Sequence, residues 1–270
     1  MKRLFKLIAW MLLLLMSFLP AHGFAALEAA DLSLLNAEDS FVFQGACCCH
    51  SPGQDGYSVQ QGIATDGTYA YLIQTNPTIH RASIRKYRLE DWSYVDCKYN
   101  LPLDHGNDLT YNANTNMLVV CNGEGNDQYV TFVDPDTLEI VGSHKLNFQF
   151  HSVAYDPERD QYAFGAFDWL IITDGNFKTV SYTEKKYTGL VVQGMDCDSQ
   201  WIYFPENSRD LSAVRVFVYD WDGRFVAEIP VLEKREIESM FHIGDDFYIA
   251  FNSYASSYVY QMKLYRRTQN

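Results

Sequence analysis

Apolar residues along this chain recur in twos rather than at the three-and-four spacing of a helix, which is the pattern of short pleated strands. The run Gln61-Gly62-Ile63-Ala64-Thr65, the pair Asp66-Gly67 and the alternating Thr68-Tyr69-Ala70-Tyr71-Leu72-Ile73 predict a strand, a tight turn and a second strand. The same shape returns in Asn107-Asp108-Leu109-Thr110-Tyr111-Asn112 followed by Met117-Leu118-Val119-Val120. It returns again in His151-Ser152-Val153-Ala154-Tyr155-Asp156 and in Gln193-Gly194-Met195-Asp196-Cys197-Asp198, each leading into a second strand. A fainter copy is Glu238-Ser239-Met240-Phe241-His242-Ile243, then Phe247-Tyr248-Ile249-Ala250.

Two further strand signals follow in each of the first four copies, for example 129–133 and 138–144 around the turn Asp134-Pro135-Asp136. The fifth copy has a third strand at 258–265 and no fourth. The leading polar residues stand at 61, 107, 151, 193 and 238, a period of 42 to 46 residues. Four short strands at that period make a β-propeller blade. The expected fold is therefore all-β: a five-bladed β-propeller of four-stranded antiparallel blades over residues 57–270. An unpaired sheet edge is a liability, so the strand signal Ser40-Phe41-Val42-Phe43 is expected to supply the missing outer strand and latch the ring.

The N-terminus changes the picture of where the protein works. Met1-Lys2-Arg3-Leu4-Phe5-Lys6 is basic, residues 7–19 are apolar, and Pro20-Ala21-His22-Gly23-Phe24-Ala25 supplies small residues for cleavage. That order predicts a signal peptide over 1–25 and a secreted or periplasmic protein, with 26–56 as an N-terminal segment carrying a cysteine cluster and the latch. Beyond the leader no apolar stretch reaches membrane-spanning length. Loss of Lys2, Arg3 and Lys6 would make the formal net charge of −13 more negative by three. Such a chain repels phosphate backbones, so nucleic acid is excluded as a partner class. Aromatic residues at 15% suit pleated surfaces, and a monomer is expected.

Six cysteines in an exported chain raise the question of disulfides. Cys47, Cys48 and Cys49 are consecutive and pair with one another only under strain, so a bridge from the triplet would reach Cys97, Cys121 or Cys197. Free buried thiols are the alternative. A soft-metal site with His50 is the third, against which the absence of spacing between the thiols argues.

In a propeller the first strand of each blade lines the axis, so the aligned leading residues Gln61, Asn107, His151, Gln193 and Glu238 are expected to ring one mouth of the channel. Two residues earlier stand His105 and Glu236, and Asp108 breaks a slot otherwise held by Gly62 and Gly194. Convergent polar groups in a concave place are a binding-site hypothesis, set against a channel that is polar only because water fills it. As chemistry, Glu238 or Glu236 would serve as base and His151 or His105 as acid. A two-carboxylate glycosidase would need Asp108 or Asp196 as its second acid. No G-x-S-x-G, phosphate-binding loop, dinucleotide fingerprint or zinc spacing is present. Asp134-Pro135-Asp136 and Asp220-Trp221-Asp222-Gly223 lack the acid spacing of a calcium loop and read as tight turns. A channel-bound cation such as calcium is the one cofactor the polar ring leaves open.

The copies Gln61-Gly62, Asn107-Asp108-Leu109-Thr110-Tyr111-Asn112, Gln193-Gly194-Met195-Asp196-Cys197-Asp198 and Tyr219-Asp220-Trp221-Asp222-Gly223 resemble a group of exported bacterial five-bladed propellers. More distantly, Gln61-Gly62-Ile63 and Ser83-Ile84-Arg85-Lys86-Tyr87-Arg88-Leu89 resemble the first blade of plant-type glutaminyl cyclases. That resemblance implies a five-bladed ring and cyclisation of an N-terminal glutamine at the channel mouth; the later blade motifs are not found here, so it carries no catalytic residues over. The expected function is binding of a small ligand, a glycan or a peptide terminus, at the mouth. The alternatives are an enzyme at the same place, glutaminyl-cyclase-like or carbohydrate-active, and a scaffold engaging other proteins by its blade loops.

Overall fold

The computed structural model describes Leu32, Leu35 and residues 40–123, 127–253 and 255–267. The expected signal peptide lies outside the described residues. Among them the chain forms strands only, and no helix is long and apolar enough to cross a membrane.

The strands form five antiparallel sheets arranged as the blades of a propeller. Blade one is β2 (Val59–Thr65), β3 (Tyr69–Asn76), β4 (Arg81–Arg88) and β5 (Tyr94–Leu101); blade two is β6 (Asp108–Asn112), β7 (Met117–Cys121), β8 (Tyr129–Val133) and β9 (Ile140–Lys145). Blade three is β10 (Ser152–Asp156), β11 (Gln161–Ala166), β12 (Trp169–Asp174) and β13 (Thr179–Glu184). In blade four the inner strand is interrupted: β14 (Val191–Val192) and β15 (Asp196–Cys197) both pair with β16 (Trp201–Asn207), followed by β17 (Val214–Asp220) and β18 (Phe225–Pro230). Blade five takes β19 (Glu236–Ile243), β20 (Asp246–Ser253) and β21 (Ser256–Arg266) from the end of the chain and β1 (Phe41–Pro52) from its beginning.

The alternation in twos has a specific consequence in this ring. Successive side chains point to opposite faces of a blade, and each face meets a different neighbour. Leu118 and Val120 join blade one's Tyr71, Ile73 and Ile84, while Val119 and Cys121 join blade three's Val153, Tyr162 and Phe164. Five apolar clusters result, each lying between two neighbouring blades. Both faces of the middle strands are thereby buried, which is why β7 and β16 read as continuous apolar runs.

The Asp-led turns recur because they do the same job in several blades. Asp66 accepts from the backbone N–H of Thr68 and Tyr69 with one oxygen and from the Tyr71 hydroxyl with the other, at 2.6 Å. Asp198 repeats this with Gln200, Trp201 and the Tyr203 hydroxyl. Asp134 and Asp220 likewise cap their own turns through backbone N–H groups. These carboxylates are structural.

The latch is longer than the apolar triplet that announces it. β1 pairs with β21 from Phe41 opposite Arg266 to Pro52 opposite Ser256, with a bulge between Cys47 and Cys49. The cysteine triplet therefore lies in the latch strand, because the long edge of β21 templates pairing well past Phe43. All six cysteines are free. Of the three alternatives, free thiols hold: the Cys47 thiol donates to the Cys49 carbonyl and the Cys48 thiol to that of Val259, both at 3.2 Å. Phe43 is fully buried, packs edge-on against Phe247 with centroids 4.7 Å apart, and its carbonyl accepts from Leu232 N–H of blade four. Phe43→Ala is expected to lower unfolding free energy by about 3–5 kcal/mol, measured by urea denaturation.

Candidate functional site

The residue nearest the meeting point of the blades is Asp108. Its Oδ1 accepts from the Ser239 hydroxyl of blade five at 2.7 Å. Its Oδ2 accepts from Val153 N–H of blade three and Met195 N–H of blade four, both at 3.0 Å. Blade one completes the circle by contact: a Cβ on Gly62 would stand 2.7 Å from the Asp108 Cα, and one on Gly194 would stand 2.7 Å from Oδ1. Only glycine admits so close an approach. The slot after each leading residue (Gly62, Asp108, Ser152, Gly194 and Ser239) is thus the tightest tier of the axis, and one carboxyl fills it. The interruption of blade four's inner strand follows, since Gly194 N–H turns to the Glu238 carbonyl at 2.6 Å and Met195 N–H to Asp108.

Burial pushes the Asp108 carboxyl up to about 8, although Ser239 and the backbone groups of Val153, Leu109 and Met195 pull the other way. Asp108 was a candidate for ligand binding, but its oxygens are committed to the ring and it is completely buried. It braces the axis.

Each of the five leading residues precedes a residue of this tier in its blade. Glu238 sits at a bulge of β19, between Ile237 and Ser239, and Gln61 at a bulge of β2. Bulges re-aim side chains at such places. The Glu238 carboxyl is buried, accepts no hydrogen bond from a described residue, and is held well above its ordinary value by burial and then by Glu236. His151 is drawn down to about 3 by burial and then by Lys185, so its imidazole is neutral. Both its ring nitrogens are buried without a hydrogen-bond partner among the described residues, as is the Asn107 side-chain oxygen.

The remaining candidates are more committed. Gln61 donates to the Gln60 carbonyl at 2.7 Å, Gln193 to the Asn207 side chain at 3.3 Å, and Glu236 accepts from Asn252 at 3.3 Å. The His105 carbonyl accepts from the Thr75 hydroxyl in the connection between blades one and two.

Three residues that the repeat did not single out stand close to His151. Lys185 lies in the connection from β13 to β14, with its Nζ buried, unpaired among the described residues and 4.4 Å from the Phe204 ring centre. Burial lowers it to about 8 against the pull of Glu206 and Asp168. Glu206, at the end of β16, is raised by burial and accepts from the Thr188 hydroxyl. Phe167, strongly exposed, meets the His151 ring edge-on at 5.4 Å. Lys185 and Thr188 occupy a connection with no equivalent copies, so no aligned column pointed to them.

Asp196, the other acid weighed for a glycosidase, is bonded to His242 instead, Oδ2 to Nδ1 at 2.5 Å. Trp221 is buried against blade three and donates to the Asp198 carbonyl. Among the described residues no cluster of three or more His, Cys, Asp or Glu could hold a metal ion.

No protein-family model matches the chain, and no curated relative matches it. Solved structures do. Over 85% of this chain and 99% of its own, Myxococcus xanthus glutaminyl cyclase superposes with a TM-score of 0.62 at 10% identity. Regucalcin from Agrobacterium tumefaciens, a calcium-binding protein, gives 0.55 at 12% identity over 86% and 98%. A member of the duf4221 family from Bacteroides vulgatus gives 0.51 at 10% over 85% and 99%. The protein shares the propeller fold with them. At these identities the likeness carries the fold alone.

Asp108 generates a test. Asp108→Asn keeps an acceptor for the two N–H groups and can donate to Ser239, whereas Asp108→Ala strands three donors and is expected to cost about 3–5 kcal/mol. The folded carboxyl titrates at about 8 against an ordinary 3.8. Its contribution is full below the unfolded value and is lost as pH rises through about 8. Urea denaturation across pH 4 to 9 should therefore show wild type losing ground to Asp108→Asn as pH rises.

Proposed function

We propose that this is an exported ligand-binding propeller whose site is the axial mouth bearing Glu238, His151, Asn107 and Lys185. Its ligand is a small polar molecule: a glycan or a peptide terminus. The observation that carries this reading is the set of unpaired groups on His151, Lys185 and Asn107. Buried polar groups are ordinarily paired, and each one left without a partner costs about 1–3 kcal/mol. The His151 nitrogens, the Lys185 ammonium and the Asn107 oxygen all lack one among the described residues. A ligand that supplied donors and acceptors here would relieve those costs on binding. The basic, apolar, small-residue order of 1–25 supports export.

The protonation states favour one second reading, an enzyme at the same mouth. A carboxyl raised above its ordinary value at Glu238 is a proton donor, and a neutral imidazole at His151 is an acceptor. Glutaminyl cyclisation, which closes an N-terminal glutamine on itself and releases ammonia, is the reaction suggested by the fold shared with Myxococcus xanthus glutaminyl cyclase; polysaccharide cleavage is the other.

The test uses the full mature chain with N-terminal glutaminyl peptides and a panel of oligosaccharides. Saturable binding by calorimetry is expected for one class, weakened at least about tenfold (1.4 kcal/mol) in His151→Ala and in Glu238→Gln. Ammonia release or new reducing ends would favour the enzyme. Binding unchanged in both variants would remove the mouth from consideration.

A further inference from the structure

A hollow of about 640 Å³ opens at one end of blade four, and no inner strand contributes to its described lining. Part of its wall forms where β17 and β18 pair, with Arg215 opposite Pro230. The chain then leaves blade four for the latch. Val231 N–H donates to the Val214 carbonyl and Leu232 N–H to the Phe43 carbonyl, both at 3.0 Å. Val214 and Val231 are buried with Phe41 and Phe43 in one apolar cluster, while Leu232 stays 55% exposed within the lining. Arg267, just past the end of β21, lines the hollow too and gives its backbone N–H to the Ser40 carbonyl at 2.6 Å.

The charges of this wall are unlike those of the chain as a whole. The protein has a formal net charge of −13, yet Arg215, Lys234 and Arg267 line the hollow against one acid, Glu233. That acid is already matched. One of its oxygens lies 3.0 Å from Nη1 of Arg235, and the other accepts from Lys234 N–H at 2.8 Å. Arg215 is matched as well: its Nε lies 3.3 Å from a Glu228 oxygen, and its Nη1 donates to the Val214 carbonyl. The Lys234 ammonium and the Arg267 guanidinium have no hydrogen-bond or ion-pair partner among the described residues. Two uncommitted cations thus share one hollow with an apolar surface.

We propose that this hollow binds a small amphipathic anion, an apolar body carrying a carboxylate. The carboxylate follows from Lys234 and Arg267, which only donate, and from the fit of a guanidinium fork to two carboxylate oxygens. The apolar body follows from Val214, Pro230, Val231 and Leu232, since covering them removes apolar surface from water. The volume lies within the range of about 300–1,000 Å³ usual for small-molecule sites. A cation would meet repulsion, and a neutral molecule would leave both cations unanswered. None of the residues involved belongs to the axial mouth, so this site stands or falls independently of the ligand held there.

Four probes separate head from body: octanoate, octanol, octylamine and acetate, each titrated into the full mature chain by calorimetry. Octanoate is expected to bind saturably, with octanol, octylamine and acetate each at least about tenfold weaker. Lys234→Gln combined with Arg267→Gln, both at exposed positions, should weaken octanoate at least about tenfold. Lys145→Gln combined with Lys178→Gln removes the same charge from blades two and three, also at exposed positions, and should leave octanoate affinity unchanged. The proposal is overturned if octanoate fails to saturate, or if any of the other three probes binds as well. It is equally overturned if the Lys234 and Arg267 double variant binds octanoate as wild type does. A loss of the same size in the Lys145 and Lys178 double variant would also sink it, by reducing the effect to overall charge.

Discussion

Five blades meeting at one axis have a crowding problem, and here a single buried carboxyl resolves it. Asp108 reaches across the centre to blades three, four and five, and blade one closes in against its backbone through Gly62. One large residue can occupy that level only because its equivalents are Gly62, Ser152, Gly194 and Ser239. The carboxyl is satisfied by the backbone N–H groups of Val153 and Met195 and by the Ser239 hydroxyl. The same contact interrupts the inner strand of blade four and places the bulge at Glu238 beside the plug.

Around this brace, burial acts on the titratable groups in two ways. The surroundings of Glu238, His151 and Lys185 suppress charge: the acid is raised, and the two bases are lowered. Burial is the leading cause for each. His242 does the opposite: Asp196, Asp198 and Asp245 outweigh its burial and hold the imidazole above its ordinary value. The first groups have unmet hydrogen bonds, whereas this one is held by Asp196 through its Nδ1.

Closure of the ring rests on a different physics. The latch strand adds backbone hydrogen bonds along β21, and its apolar residues enter two of the inter-blade clusters, Phe41 and Phe43 against blades four and five, and Cys49 against blades five and one. Ring closure is therefore an apolar and ladder interaction. The thiols of β1 are free in it, and the bulge at Cys47 and Cys49 lets the strand follow the edge without a covalent tie.

Local pattern determined the architecture here. Strand, turn and period are encoded within each 42- to 46-residue unit, from leading residues at 61, 107, 151, 193 and 238, because a blade is built from neighbours in sequence. The missing fourth strand of the last unit likewise foretold the latch, since an open edge demands a partner. The site was legible only as columns: alignment brought Glu238, His151 and Asn107 to one level, where the inner strands converge. It could not rank the adjacent column above them, because whether Asp108 or its neighbour points to the centre depends on bulges in β2 and β19 that arise from packing. It was silent on Lys185, which sits in a connection without repeats, and on the bond between Asp196 and His242, which joins residues of different blades. Sequence alone thus settled the ring and its period. Which side chain fills the axis, and which polar groups it leaves unpaired, was decided by five strands competing for one line in space.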